Sequence, residues 1–166
     1  MFPIKNYKYE IPQGNHLGAF GTIRKHDIHT GIDLYCEKDT PIYAIENGII
    51  IAIEWFTGPS INIPWWNDTK AIAIKSKSGT LNYGELIPLE SLQIGDTVKE
   101  GDLIGHVTPV LKQDKGKVPS TSMLHLEQYI HYNGKWIIWE LNQPKPLNLI
   151  NPTELLIIEK SKEDGQ

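Results

Sequence analysis

The sequence is poor in the features that define several protein classes. Its 166 residues include one cysteine, Cys36. An internal disulfide framework and any multi-cysteine zinc or iron–sulfur site are excluded, so a metal would have to rest on His, Asp and Glu. Basic charge is not in excess: 16 Lys+Arg stand against 20 Asp+Glu, a net charge of -4. A non-specific nucleic-acid binder needs a basic face to displace counterions, and nucleic acid is therefore not an expected partner. No apolar run approaches the roughly 20 residues of a membrane helix, so membrane insertion is not expected either. The longest such run, Gly48 to Ile53, has the length of a strand. Met1 to Ile11 carries Lys5, Lys8 and Glu10 and lacks the apolar core of a signal peptide, which makes a cytoplasmic location the default expectation.

Helical periodicity is nearly missing as well. The 14 Gly and 11 Pro fall between short β-branched runs. Ile32 to Tyr35, Pro41 to Ala44, Gly48 to Trp55, Ala71 to Lys75, Thr80 to Leu86, Leu103 to Val107, Met123 to His131 and Lys135 to Leu141 read as strands. Turn signals separate them: Glu46-Asn47-Gly48, Ser78-Gly79, and Tyr132-Asn133-Gly134-Lys135, which should join the last two long strands. Short strands at close spacing with such turns predict an all-β, antiparallel sandwich or barrel-like fold. Pro152 to Leu156 could open one helical turn, and Ser161 to Gln166 reads as a loose charged tail.

Two segments break the pattern. Thr57 to Asp68 holds two prolines and the pair Trp65-Trp66 and must be a long loop. Its tryptophans could contact a ligand or plug one end of the barrel, since a Trp pair buries much apolar area in either case. Lys112 to Ser122 is a second long polar loop, leading into the strand that carries His125. Together the two loops are expected to border a cleft.

Chemistry concentrates at two places. In His29-Thr30-Gly31-Ile32-Asp33, residues four apart on a straight strand would stand about 13 Å apart, too far for one ion. A bend at Gly31 would bring them together as a nitrogen and an oxygen ligand suited to zinc. The spacing alone favours a loop histidine and a turn-capping aspartate. In Met123-Leu124-His125-Leu126-Glu127, alternation places Met123, His125, Glu127 and Tyr129 on one face and Leu124, Leu126 and Ile130 on the other. The polar face either lines a cleft or meets solvent. His125 could supply a third protein ligand, leaving the fourth position open as in catalytic zinc sites.

These blocks carry a resemblance. Arg24 to Gly48, then Tyr83-Gly84-Glu85-Leu86, Ile94 to Gly105, and Leu124-His125-Leu126-Glu127 resemble, in order, the lysostaphin/LytM-type zinc peptidases of family M23. The similarity runs roughly from Gly18 to Tyr129 and implies a duplicated hybrid motif fold, an M23-like domain over 18–158, an N-terminal extension over 1–17 and a charged tail over 159–166. It implies one zinc ion held by His29, Asp33 and His125. It also implies a peptide or peptidoglycan-like substrate; Trp65 and Trp66, from the long loop, and Tyr83, from the Tyr83-Gly84-Glu85-Leu86 block, are the expected substrate-binding residues.

Two departures stand out. The first histidine of the family's His-x-His motif falls on Met123, and the histidine of its Tyr-x-His-Leu block falls on Glu85. Methionine cannot transfer a proton; glutamate can, and a non-ligand glutamate is the base in other zinc peptidases. Glu85 is therefore the expected catalytic residue, with metal ligation or a bystander position as its other two outcomes. Should it fail as the base, His106 and His26 are the next histidines to consider. The function expected is a zinc metallopeptidase with an altered acid–base set; the alternative is a catalytically silent zinc module that binds a peptide or glycan.

Overall fold

The computed structural model describes residues 1–113 and 122–165. Eleven strands and one helix follow in order: β1 Asp27–Ile28, β2 Ile32–Tyr35, β3 Pro41–Tyr43, β4 Gly48–Thr57, β5 Thr69–Ser76, β6 Gly79–Pro88, β7 Thr97–Val98, β8 Leu103–Val107, β9 Met123–Tyr129, β10 Trp139–Glu140, β11 Leu149–Ile150 and α1 Thr153–Asp164. The fold is all-β and antiparallel. Its backbone is the run β11-β9-β6-β5-β4-β7, with β2 on β9 and β8 bridging β6 to β3.

Alternation explains the packing. Ile72 and Ile74 of β5, Leu81 and Tyr83 of β6, and Leu124 and Leu126 of β9 are fully buried and join one core cluster with Ile32 and Leu34 of β2. Phe2, Ile4 and Tyr7 of the amino-terminal segment pack into the same cluster. The opposite face of β9 is also covered: His125, Glu127 and Tyr129 are 7%, 2% and 1% exposed. The polar row of β9 therefore faces an interior site and not solvent.

Several local expectations are corrected. Ser78-Gly79 does close the β5–β6 hairpin, with Ser76 opposite Gly79. Glu46-Asn47-Gly48 does not close one: β3 pairs with β8, and β4 pairs with β5 and β7. The Asn47 side chain instead accepts the Glu100 N–H at 2.7 Å. The stretch 135–141 forms only the two-residue β10, and it pairs with β1, not β9. Its neighbours lack an apolar alternation long enough to zip further. The carboxy-terminal segment is helical from Thr153 through Asp164, because Leu156 docks into the core and the Lys160–Asp164 and Lys162–Glu159 pairs support the exposed turns. No helix among the described residues is long and apolar enough to cross a membrane.

Candidate metal centre

Strand register builds the site. Asp33 of β2 lies directly opposite His125 of β9, so carboxylate and imidazole start as cross-strand neighbours. His29 reaches the same point because the chain turns between β1 and β2 and presses Gly31 against β9. A Cβ on Gly31 would fall 2.3 Å from the Leu126 carbonyl oxygen and 3.0 Å from His125 Cε1. Only glycine permits that approach, and the approach removes the long separation a straight strand would impose.

Three ligand-type atoms converge as a result. His29 Nε2 lies 3.1 Å from Asp33 Oδ1 and 3.2 Å from His125 Nδ1, and the latter two atoms are 2.8 Å apart. All three residues are buried. Each outer atom is also held. His29 Nδ1–H donates to the Ala19 carbonyl at 2.9 Å. His125 Nε2–H donates to Glu127 Oε1 at 2.8 Å, and Arg24 donates to Asp33 Oδ2 at 2.9 Å. With the outer ring nitrogens acting as donors, both inner nitrogens present lone pairs, and they face a carboxylate oxygen. Three acceptors aimed at one point are reconciled only by a cation or a proton. The N, O, N donor set, with outer partners orienting both rings, fits zinc.

The titration directions agree. Burial alone would raise the Asp33 carboxyl, but hydrogen bonds from His125 and His29 outweigh it and hold Asp33 well below the usual carboxylate range. Burial alone would lower His125, but Asp33 and Glu127 together hold it well above the usual imidazole value.

Glu85 arrives differently. Tyr83 pairs with Ile72 and Leu86 with Lys70, so two residues of β6 oppose the single Ala71 of β5. Glu85 is one of the two and sits at φ 65, in the left-handed region. This bulge breaks the alternation that would have put Tyr83 and Glu85 on one face. Tyr83 is instead fully buried, its hydroxyl accepting the Ile45 N–H at 3.0 Å, so it is a core residue with no surface for a substrate. Glu85 Oε2 is shut off from solvent and has no hydrogen-bond partner among the described residues. Burial, reinforced by the charge of Asp33, pushes the Glu85 carboxyl up to about 8.

The tryptophan loop is anchored to the segment that follows β8. Trp66 bridges Leu111, and the Asn67 side chain donates to the Pro109 and Leu111 carbonyls at 3.0 and 3.2 Å. Trp65 is 66% exposed. Among the described residues the rings packed on His125 are His29 and Phe56, with centroids at 5.0 and 5.5 Å. Most of the second loop, residues 114–121, lies outside the described residues.

Arg24, Phe56, Glu127 and Tyr129 complete the centre and were not assigned roles from sequence. Alternation does put Glu127 and Tyr129 on the His125 face. Nothing local marks Arg24 or Phe56, which arrive through long-range packing.

A model of peptidase family M23 matches residues 27–138, well over half of the chain and including His29, Asp33, Glu85 and His125 but not Arg24. The chain belongs to peptidase family M23. Among solved structures it is similar to CbpA from L. salivarius REN, at TM-score 0.59 and 15% identity over 92% of this chain and 91% of that one. The catalytic domain of the antimicrobial peptidase lysostaphin from Staphylococcus simulans matches at TM-score 0.55 and 21% identity, covering 84% and 89% of the two chains. A zinc-containing peptidase from Vibrio cholerae matches at TM-score 0.52 and 20% identity, over 76% of this chain and 35% of that one. At these identities the likeness is one of fold. No curated protein matches in sequence. As an M23 member, the chain is metallopeptidase-like, and it carries a His-Asp-His cluster able to hold a metal.

Proposed function

We propose that this M23 protein is a zinc-dependent peptidase that hydrolyses a peptide bond in a cell-wall-type peptide, with His29, Asp33 and His125 as the ligands and Glu85 as the proton carrier. The observation that carries the reading is the convergence of three lone-pair atoms within 3.2 Å of one another, each fixed from behind. Bound there, zinc would polarise a peptide carbonyl and activate water.

The chain's own residues do the remaining work. Glu85 Oε2, with no hydrogen-bond partner among the described residues, is available to take a proton and return it to a leaving amine. Its upward shift keeps the proton affinity close to neutral, where both transfers are feasible. Arg24 holds the Asp33 carboxylate in place. The exposed Trp65 and the half-buried Trp66 are the proposed contacts for a substrate.

Glu85→Gln tests the assignment. The variant should keep zinc and lose turnover on peptidoglycan or a glycine-rich peptide by about 10²–10⁴-fold, the usual weight of a general acid–base group. Loss of zinc would make Glu85 a ligand. Full activity would move the base to another residue, with His106 and His26 next in line.

Met123 favours a second reading. It stands where the family has a histidine, and a centre lacking both family histidines fits a zinc-containing module that binds a peptide or glycan without cleaving it. Zinc-loaded protein that binds wall fragments with no cleavage, and with no effect of Glu85→Gln, would support that reading.

A further inference from the structure

Behind the ligand atoms lies a closed circuit of side chains. His125 donates Nε2–H to Glu127 Oε1 at 2.8 Å. Tyr129 donates its hydroxyl to the other oxygen, Glu127 Oε2, and the Ile137 N–H reaches the same hydroxyl at 3.5 Å. Tyr132 stacks on Tyr129 at 6.3 Å, and Trp136 packs on Tyr132 at 4.9 Å. Trp136 meets Phe56 edge-on at 5.7 Å, and Phe56 returns to His125 at 5.5 Å. The imidazole is thus gripped at its back edge by a carboxylate and on its face by a ring.

We propose that Glu127 and Tyr129 are positioning residues that hold the His125 imidazole with its proton on Nε2 and its lone pair on Nδ1 facing the centre. This rests on the reading of His29, Asp33 and His125 as ligands. The physical reason is tautomer control. A neutral imidazole carries one proton, and a proton on Nδ1 would block that atom as a ligand. Glu127 offers an acceptor at the back edge, so the proton belongs on Nε2. Tyr129 does the same service one step out. Its hydroxyl occupies Oε2, which keeps Oε1 turned to the ring. Glu127 and Tyr129 are only 2% and 1% exposed, so water does not compete for these bonds.

The test measures zinc affinity by competition with a chromophoric chelator and reads the His125 ring by ¹⁵N NMR of the zinc-loaded protein. Glu127→Ala should weaken zinc binding by about 10–100-fold, the usual cost of removing a partner behind a metal ligand. Glu127→Gln keeps an acceptor for Nε2–H and should stay within about threefold of wild type. Tyr129→Phe should fall between, at about 3–10-fold, the weight of one hydrogen bond. A slowly exchanging proton on His125 Nε2 should persist in wild type and Glu127→Gln.

Wild-type affinity in a folded Glu127→Ala protein overturns the proposal and leaves the metal reading intact. Equal losses in the Ala and Gln variants also overturn it, since packing alone would then explain both. If Glu127→Ala does not fold, Glu127→Gln and Tyr129→Phe decide: a Gln loss as large as the Phe loss counts against it. A wild-type protein that binds no zinc overturns the ligand reading itself.

Discussion

Asp33 and Glu85 flank the same histidine from opposite sides of β9, and they could hardly be treated more differently. On one side Asp33 lies directly opposite His125, and both of its oxygens are engaged, by the histidines and by Arg24. On the other side the residue opposite His125 is Gly84, and Glu85 enters only through the adjacent bulge. A Cβ on Gly84 would fall 2.8 Å from Phe56 Cε2, so the ring takes the space a side chain would use. Hydrogen bonding on both oxygens drives one carboxyl down; burial, with Oε2 unpartnered among the described residues, drives the other up. A group satisfied on every side is built to stay charged and hold. A group left unsatisfied is built to change its protonation, and that separation of roles underlies the proposed chemistry.

The strongest way to break the comparison is to remove the satisfied partner. Asp33→Ala takes away one of three converging atoms and leaves the Arg24 guanidinium to the Leu17 carbonyl and solvent. Zinc affinity should drop by more than about 100-fold, beyond the usual loss for an outer-shell partner. Elemental analysis at neutral pH should find the metal stripped, as it should for alanine at His29 or His125. Stoichiometric zinc in the His29→Ala protein would sink the ligand set.

Next in size is the contact that brings β2 to β9. Gly31→Ala would place a methyl 2.3 Å from the Leu126 carbonyl oxygen, a backbone atom that cannot swing aside. The strands must part, at a cost of about 1–3 kcal/mol or more for overpacking. Urea unfolding of the metal-free protein should show it, together with weaker zinc binding. An unchanged midpoint would mean that the close approach is not what unites His29 with Asp33.

Much of this was legible in the chain. The polar row of β9 follows from alternation; the His29-to-Asp33 block, with its bend at Gly31, became a ligand pair only through the resemblance to the M23 peptidases. The strands in the middle of the chain follow from β-branched runs between turn residues. What escaped depended on distance along the chain or on a broken rule. Glu85 was singled out from its place in the Tyr-x-His-Leu block, but the way it reaches the centre escaped, because a bulge has no local sequence mark here and alternation wrongly tied it to the buried Tyr83. Arg24 and Phe56 are brought in by packing that no local pattern encodes. The Asn47-Gly48 turn misled because its side chain serves the Glu100 backbone and not a hairpin. The final helix was underestimated because its apolar residues, Leu155 to Ile158, form one short run without helical spacing, of which Leu156 is buried in the core and Leu155 packs against it.

The smallest effect sharpens the comparison most directly, because the two carboxyls should bend the stability of the metal-free protein in opposite directions. Asp33 is depressed in the folded state, so its contribution is present above the ordinary carboxylate value and fades as the pH falls below about 4. Glu85 is raised to about 8, so the folded state binds more protons there than the unfolded chain does. Between roughly pH 4.5 and 8 it therefore removes stability as the pH rises. Glu85→Gln deletes that penalty and leaves Asp33 untouched. The metal-free variant should match wild type near pH 4.5 and exceed it above pH 8 by about 1–2 kcal/mol, after discounting for screening, because Oε2 is enclosed but the residue as a whole is only half-buried. Thermal unfolding in chelator across this range reads the difference. Parallel curves for the two proteins would show that Glu85 titrates normally, and the contrast with Asp33 would then be one of geometry alone.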